Sequence, residues 1–188
     1  QVGSGYHFID LPENVSGKDF VITLNVREPD AFINITNPTV TATSEVYREF
    51  ARQHLLSTFV GIYLILLGAV MTIVSAVAVC YSKLYVRLLY IGIFSFLMGI
   101  WSMCNMKVFE IFKIDLASNT TVEYLTLYLA PISFILMIAE MRKHVAVWKQ
   151  QLAYASAMLM GLFFVVSTIL HFLNIEHYPR LLGYFHLF

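Results

Sequence analysis

Two cysteines and six histidines are the side chains of this 188-residue chain that are best suited to bind a metal or to act as nucleophiles. The histidines are scattered, without an i,i+4 pair or a Cys/His cluster, whereas metal sites need several such ligands close together. No Ser-His-Asp order, Gly-rich phosphate loop or pair of catalytic carboxylates can be assembled either. The sequence therefore predicts no catalytic residue, no metal ligand and no cofactor in this chain.

The composition explains why reactive side chains are so sparse. The chain is 59% hydrophobic and 13% charged, with a mean hydropathy of +0.71, whereas soluble domains are about 45–50% apolar and about 25% charged. Its 12 basic and 12 acidic residues cancel, which removes the electrostatic case for binding nucleic acid. The predicted partner is a lipid bilayer.

Long stretches without charged residues predict the membrane-spanning elements, because a bilayer core needs about 20 apolar residues per helix. The predicted fold is an α-helical transmembrane bundle over residues 55–188, with four complete helices and the start of a fifth, and we expect the sequence to be a fragment of a longer protein. The predicted spans are 55–82, 88–106, 122–139, 152–175 and the truncated 181–188.

Lysines and arginines in short loops predict the orientation, since cytoplasmic loops carry the excess of positive charge. The first and third loops hold Lys83, Arg87, Arg142, Lys143 and Lys149, and we place both inside the cell. Residues 1–50 and the loops at 107–123 and 174–180 then face outward. The predicted location is a membrane that the chain crosses several times, with an extracellular N-terminal segment.

The residues before the first span have a β-type pattern. Alternating apolar positions from Asp19 to Val26 predict a strand, bounded by breakers such as Gly17 and Pro29. We interpret residues 1–45 as the C-terminal part of an extracellular β-sandwich-like sensor domain, and residues 46–54 as the connector to the first helix.

A few polar residues fall inside or beside the predicted spans. His171 is the one ionisable residue within a span, and such residues are candidates for function; we interpret it first as a neutral interfacial histidine and keep a sensing or ligand role as the alternative. Cys80 and Cys104 lie near opposite membrane faces, too far apart for a disulfide. Glu140 is expected to form an interfacial ion pair with the neighbouring Arg142 or Lys143.

Small residues recur at helical spacing in three of the predicted helices. They let helices approach closely in lipid, where van der Waals contact replaces the hydrophobic drive, and we interpret them as contacts within one bundle, with a homodimer left open. The packing candidates are Gly68, Thr72, Ala76, Gly92, Ser95, Gly99, Ser102, Ala153, Ala157 and Gly161. Pro131 removes a backbone donor from the third helix and is the hinge candidate, with packing as its first interpretation.

Three segments carry a resemblance to a known family. They are LPENVSGKDFVITL from Leu11 to Leu24, GIYLILLGAVMTI from Gly61 to Ile73, and LLYIGIFSFLMGIWSMCNMKVFEIF from Leu88 to Phe112, which includes MGIWS. In this order they resemble the membrane region of bacterial seven-transmembrane receptors with diverse intracellular signalling modules, as found ahead of GGDEF diguanylate cyclase domains. The resemblance implies a bacterial plasma membrane as the location, further helices, a cytoplasmic output domain in cis, and no catalytic residue in this region.

The function predicted from residues and resemblance together is sensory input and transmembrane signal relay. An extracellular ligand of unknown identity would act on the β domain, and the bundle would control an output, by resemblance a cyclase making cyclic di-GMP. One alternative is a transporter or channel subunit, which would want discontinuous helices and midplane polar groups. Another is a receptor whose output is a histidine kinase or phosphatase.

Overall fold

The computed structural model describes residues 40–109, 114–141 and 147–185, together with six isolated residues nearer the N-terminus (Ile9, Leu11, Gly17, Asp19, Val21 and Ile22). All regular elements in these residues are helices. They are α1 (Thr43–Val79), α2 (Val86–Asn105), α3 (Leu116–Met141), α4 (Val147–Phe172) and the short α5 (Tyr178–Phe185), with a 3-10 turn at Lys83–Tyr85 before α2.

The prediction of transmembrane helices is confirmed. Four helices, α1 to α4, are long and apolar enough to cross a membrane, and they mark a multi-pass membrane protein. Large apolar side chains on their surfaces are open to the surroundings, for example Phe59 on α1 at 73% exposure and Leu162 on α4 at 62%. Such surfaces are compatible with contact to lipid tails.

The extracellular β domain predicted over residues 1–45 is not shown. Most of these residues lie outside the described ones, and none of those that are described belongs to a strand. Gly17 lies in a turn with a left-handed φ of 77°, which suits the breaker predicted there. Residues 43–45 form the first turn of α1.

Helix α1 is longer than the span predicted from hydropathy. It begins at Thr43 instead of residue 55 and includes the whole predicted connector 46–54. Hydropathy marks where a helix enters lipid, but Glu, Arg, Ala and Gln are good helix formers in water as well, so the helix continues beyond the apolar stretch. Its 37 residues make it about 55 Å long at 1.5 Å per residue.

The ends of the other helices follow from local chemistry. The Asp115 carboxylate accepts the backbone N–H groups of Ala117 and Ser118 at 3.1 and 3.3 Å, as an N-cap does, so α3 begins at Leu116 and not at residue 122. After α4, Asn174 adopts a left-handed φ of 54°, a conformation that asparagine tolerates better than most residues and that commonly ends helices.

The helices pack in the order of the chain. α1 packs on α2, α2 on α3 and α3 on α4, and α5 contacts the end of α4. Successive helices are antiparallel, so the N-termini of α1 and α3 lie at the same end as the C-termini of α2 and α4. This end is called the Lys107 end below, after the residue in the α2–α3 turn, and the opposite end is the Lys83 end.

Candidate functional site

The tightest contact in the described chain is between α1 and α2. It is made by four glycines, Gly61 and Gly68 on α1 and Gly92 and Gly99 on α2, which are called the glycine seam below. All four are buried. The two glycines of each helix are seven residues apart, which returns each pair to the same helix face, and the antiparallel packing sets Gly61 opposite Gly99 and Gly68 opposite Gly92.

The seam leaves no room for a side chain. A Cβ added at Gly68 would lie 2.7 Å from Phe96 Cα and 2.8 Å from the Gly92 carbonyl oxygen, and one at Gly99 would lie 2.7 Å from the backbone nitrogen of Ile65. Backbone-to-backbone approach of this kind is how small residues drive helix association in lipid. α1 and α2 therefore form one closely packed pair.

The other packing candidates on α1 and α2 differ in their burial and in how close they lie to the glycine seam. The Thr72 hydroxyl donates to the Gly68 carbonyl at 2.7 Å and lies against Gly92, so it belongs to the seam. Ser95 and Ser102 are half-buried, whereas Ala76 is exposed.

The candidates on α4 do not form a comparable seam. Ala157 is buried at 5% exposure and Ala153 is half-buried. A Cβ added at Gly161 would meet nothing within 4 Å. Among the described glycines, those at which an added Cβ would meet the backbone of another helix all lie at the α1–α2 contact.

The α2–α3 turn holds a partly buried ion pair that the sequence did not predict. The Lys107 Nζ atom lies 2.7 Å from Glu123 Oε2, and the two side chains are 11% and 17% exposed. Lys107 also has a left-handed φ of 56°, at a position after a helix end that glycine usually takes. Opposite charges beside two successive spans are the signal that could have found this pair.

Next to this pair, a side chain ties α3 to the end of α2. The Asn119 Nδ2 group donates to the Cys104 carbonyl at 3.0 Å, which is one of the carbonyls that a helix end leaves without an intrahelical partner. Asn119 is 2% exposed and Cys104 is completely buried. Both cysteines are free thiols, and Cys80 is exposed near the Lys83 end.

An aromatic cluster joins α3, α4 and α5 at the Lys107 end. Tyr178, at the start of α5, is 1% exposed and stacks on Tyr124 with ring centroids 5.7 Å apart. Its hydroxyl contacts Thr168 at 3.3 Å, and its carbonyl accepts the Tyr128 hydroxyl at 3.3 Å. Burial raises the pKa of Tyr178, so the hydroxyl stays protonated at neutral pH. The cluster fixes the start of α5 between α3 and α4.

His171 belongs to this cluster. Its ring stacks on Tyr178 with centroids 4.1 Å apart, and its Nδ1 atom is buried without a hydrogen-bond partner among the described residues. The histidine is thus held by ring contacts close to the end of α4. These contacts provide a packing role for His171, and its sensing role remains a prediction.

The hinge candidate and Glu140 lie towards the Lys83 end of α3. Pro131 is contained in a continuous helix from Leu116 to Met141. Glu140 is 7% exposed and accepts the Tyr154 hydroxyl of α4 at 2.7 Å. Its predicted partners Arg142 and Lys143 lie outside the described residues.

The part of α1 beyond the apolar stretch is polar on most of its surface. Arg52 and Glu49 form an exposed ion pair at 2.9 Å, while Phe50 between them is only 6% exposed and contacts the His54 ring at 4.6 Å. This segment, residues 43–54, is called the α1 extension below. It runs without a break into the glycine seam.

Comparisons with known proteins do not assign this arrangement. No protein-family model, curated protein or solved structure matches the chain. Within the described residues, no three His, Cys, Asp or Glu side chains come together to hold a metal ion. The described residues make contacts between helices, some between backbones and some between polar side chains. These contacts hold the helices together.

Proposed function

We propose that this chain is the sensory input and transmembrane relay region of a bacterial membrane receptor, with residues 1–42 outside the cell. By the resemblance of its segments, the output is a cytoplasmic GGDEF diguanylate cyclase joined in cis. The relay passes a displacement at the outer end of α1 to the cytoplasmic ends of the helices. Two helix packings separated by a few kcal/mol are sufficient for such a switch.

The observation that carries the proposal is the continuity of α1. At about 55 Å the helix exceeds a hydrocarbon core of about 30 Å by about 25 Å. The α1 extension supplies about 18 Å of this excess at 1.5 Å per residue, so it projects from the membrane as a rigid arm. A rigid arm moves its inner end when its outer end moves, whereas a flexible linker of the same length would absorb the motion.

The glycine seam supports the same function. Because α1 and α2 approach backbone to backbone, with Gly68 and Gly92 leaving no space for a methyl group, α2 follows any movement of α1. Beyond α2, the Lys107–Glu123 pair and the Asn119 bond connect the motion to α3, and the Tyr178 cluster connects α3 to α4 and α5.

The transporter or channel alternative has less support from the described residues. Discontinuous helices are typical of transport sites, whereas α1 to α4 are each continuous. The grooves between α1 and α2 and between α2 and α3 are lined almost entirely by apolar side chains. The histidine kinase or phosphatase alternative differs only in the output domain.

The proposal is tested in the protein with its native downstream sequence restored, expressed in a bacterium that reports cyclic di-GMP. The variants are a deletion of residues 1–40, which leaves the first turn of α1 intact, and Gly99→Leu, which adds bulk where Ile65 and the Gly61 carbonyl lie within 3 Å of a new Cβ. Phe96→Leu is the control, since it shortens a side chain in the groove between α1 and α2 and leaves the four glycines unchanged.

We expect the deletion and Gly99→Leu to change the level of cyclic di-GMP, and Phe96→Leu to change it much less. Cyclase activity that is indifferent to the deletion and to Gly99→Leu would reduce this chain to a membrane anchor. A restored sequence with no signalling domain would contradict the receptor proposal and favour the transporter alternative.

A further inference from the structure

We propose that the Lys107–Glu123 ion pair is a regulatory latch, which keeps α2 closed against α3 at the Lys107 end and whose opening changes the state of the relay. The regulatory part rests on the proposed function. The latch itself is a property of this chain and can be measured without any output domain.

The backbone of Lys107 indicates that the lysine side chain is needed at this position. A φ of 56° is strained for any residue with a Cβ, and glycine relieves that strain at helix ends. A glycine at position 107 would end α2 equally well, but it has no side chain that could reach Glu123. Strain that is retained at one residue requires surroundings that hold it. Here the Lys107 backbone N–H donates to the Cys104 carbonyl at 3.0 Å, and the Lys107 side chain is held by Glu123.

The burial of the pair distinguishes it from the other described ion pairs. Lys107 and Glu123 are 11% and 17% exposed, whereas Arg52 and Glu49 are 78% and 49% exposed. Charges attract more strongly where water is excluded, and a charge left there without its partner is costly. Loss of either charge therefore favours a conformation in which the other reaches water.

The ion pair lies close to a buried cysteine, Cys104, whose reactivity can be used to detect opening of the latch. Cys104 lies one turn before Lys107 and is 0% exposed, and Val108 beside the latch is 5% exposed. The Cys104 carbonyl accepts the Asn119 amide of α3, so α2 and α3 cannot separate here without breaking that bond. Opening of the latch would expose the Cys104 thiol while leaving the glycine seam, on the other face of α2, in contact.

The position of the latch makes it suitable for regulation. Among the described ion pairs, it alone connects the end of one long helix to another, since the Glu49–Arg52 and Glu176–Arg180 pairs are local in sequence. The latch lies between two units. One is α1 and α2, held together by the glycine seam, and the other is α3, α4 and α5, held together by the aromatic cluster around Tyr178. Relative movement of these two units acts on the α2–α3 turn.

The test uses the whole chain in detergent micelles with Cys80→Ser, so that Cys104 is the only thiol, and measures its rate of reaction with a small maleimide. Glu123→Gln should raise that rate at least about tenfold, an opening change of about 1.4 kcal/mol. The double variant Lys107→Glu/Glu123→Lys should return the rate to within about threefold of the parent, because the pair is rebuilt with its charges exchanged.

Glu49→Gln is the matched control, since it makes the same chemical change in an exposed ion pair that is local to α1 and should leave the Cys104 rate unchanged. A thermal melt of each variant separates local opening from unfolding. A Glu123→Gln rate equal to that of the parent would overturn the latch. A charge-exchanged variant that reacts as fast as Glu123→Gln would also overturn it, because the faster reaction would then come from any substitution at these positions and not from loss of the ion pair.

The regulatory part is tested in the restored protein by its cyclic di-GMP level. Glu123→Gln should shift the level and the charge-exchanged variant should restore it. If Cys104 opens as expected but the level does not move, the latch is structural and its regulatory role fails. If the level responds to deletion of residues 1–40 but not to Glu123→Gln, the proposed relay stands and bypasses the latch.

Discussion

Gly68→Ala is the smallest change that tests the glycine seam. The added methyl group would lie 2.7 Å from Phe96 Cα and closer still to the Phe96 backbone nitrogen, and these are backbone atoms that cannot rotate away. Ordinary van der Waals contact between carbon atoms is about 3.5–4.0 Å. α1 and α2 must therefore separate by about 1 Å, which weakens every contact along the seam.

The expected size of the effect comes from two opposing contributions. Overpacking of a close-packed contact costs about 1–3 kcal/mol, and replacing glycine by alanine inside a helix contributes about 0.5–1 kcal/mol in the stabilising direction. The net destabilisation is between about 0 and 2.5 kcal/mol, with a central value of about 1.25 kcal/mol. By the scaling for chains of this length, that central value lowers the melting temperature by roughly 3–5 °C.

Gly161→Ala is the matched control, because it makes the same chemical change within α4, where a Cβ meets nothing within 4 Å. Only the helix-propensity contribution acts there, so this variant should be as stable as the parent or more stable by about 0.5–1 kcal/mol. Both are compared by thermal unfolding in the same detergent. Equal melting temperatures for the two variants would refute the close approach of α1 and α2.

Three further predictions concern other parts of the chain. In cells expressing a chain without its native cysteines, a membrane-impermeant thiol reagent should label Ser118→Cys but not His144→Cys, because the positive charge of the third loop predicts that it is cytoplasmic; labelling of the second alone would reverse the orientation. Asp115→Ala should lower the stability in a detergent melt by about 1 kcal/mol through loss of the α3 cap, while Asp115→Asn retains most of it; an unchanged melt for Asp115→Ala would show that the cap contributes nothing. Tyr178→Phe should be nearly as stable as the parent, since it loses one hydroxyl contact, whereas Tyr178→Ala should lose about 3–5 kcal/mol by emptying a buried site; equally stable Phe and Ala variants would contradict the role of the aromatic cluster in holding α5.

The transmembrane helices could be predicted from the sequence because lipid imposes a single strong requirement, about 20 apolar residues per span. The ends of the helices could not. Hydropathy predicts that the first span begins near residue 55, but the helix itself begins at Thr43, because helix formation in the α1 extension depends on propensity and not on hydropathy. The β domain predicted over residues 1–45 depended on a short alternating pattern and is not shown.

Some residues of the glycine seam were among the packing candidates chosen from the sequence. Gly68, Gly92 and Gly99 could be chosen from their size, and each lies against the backbone of the facing helix. Gly61 was not chosen, although its seven-residue distance from Gly68 matches the distance from Gly92 to Gly99. The Lys107–Glu123 pair depends on how the α2–α3 turn folds back, across 16 residues, and no local periodicity reports such a contact.

The most direct test of the relay is a single break within the α1 extension. Ala51 is exposed in the α1 extension, and Ala51→Pro removes a backbone hydrogen bond and kinks or breaks a helix interior, while Ala51→Ser keeps the helix. In the restored protein, Ala51→Pro should give the cyclic di-GMP level of the deletion of residues 1–40, and Ala51→Ser the level of the parent. A level for Ala51→Pro equal to that of the parent, in a cell where the deletion does change it, would contradict the proposal that α1 transmits the signal as one rigid helix.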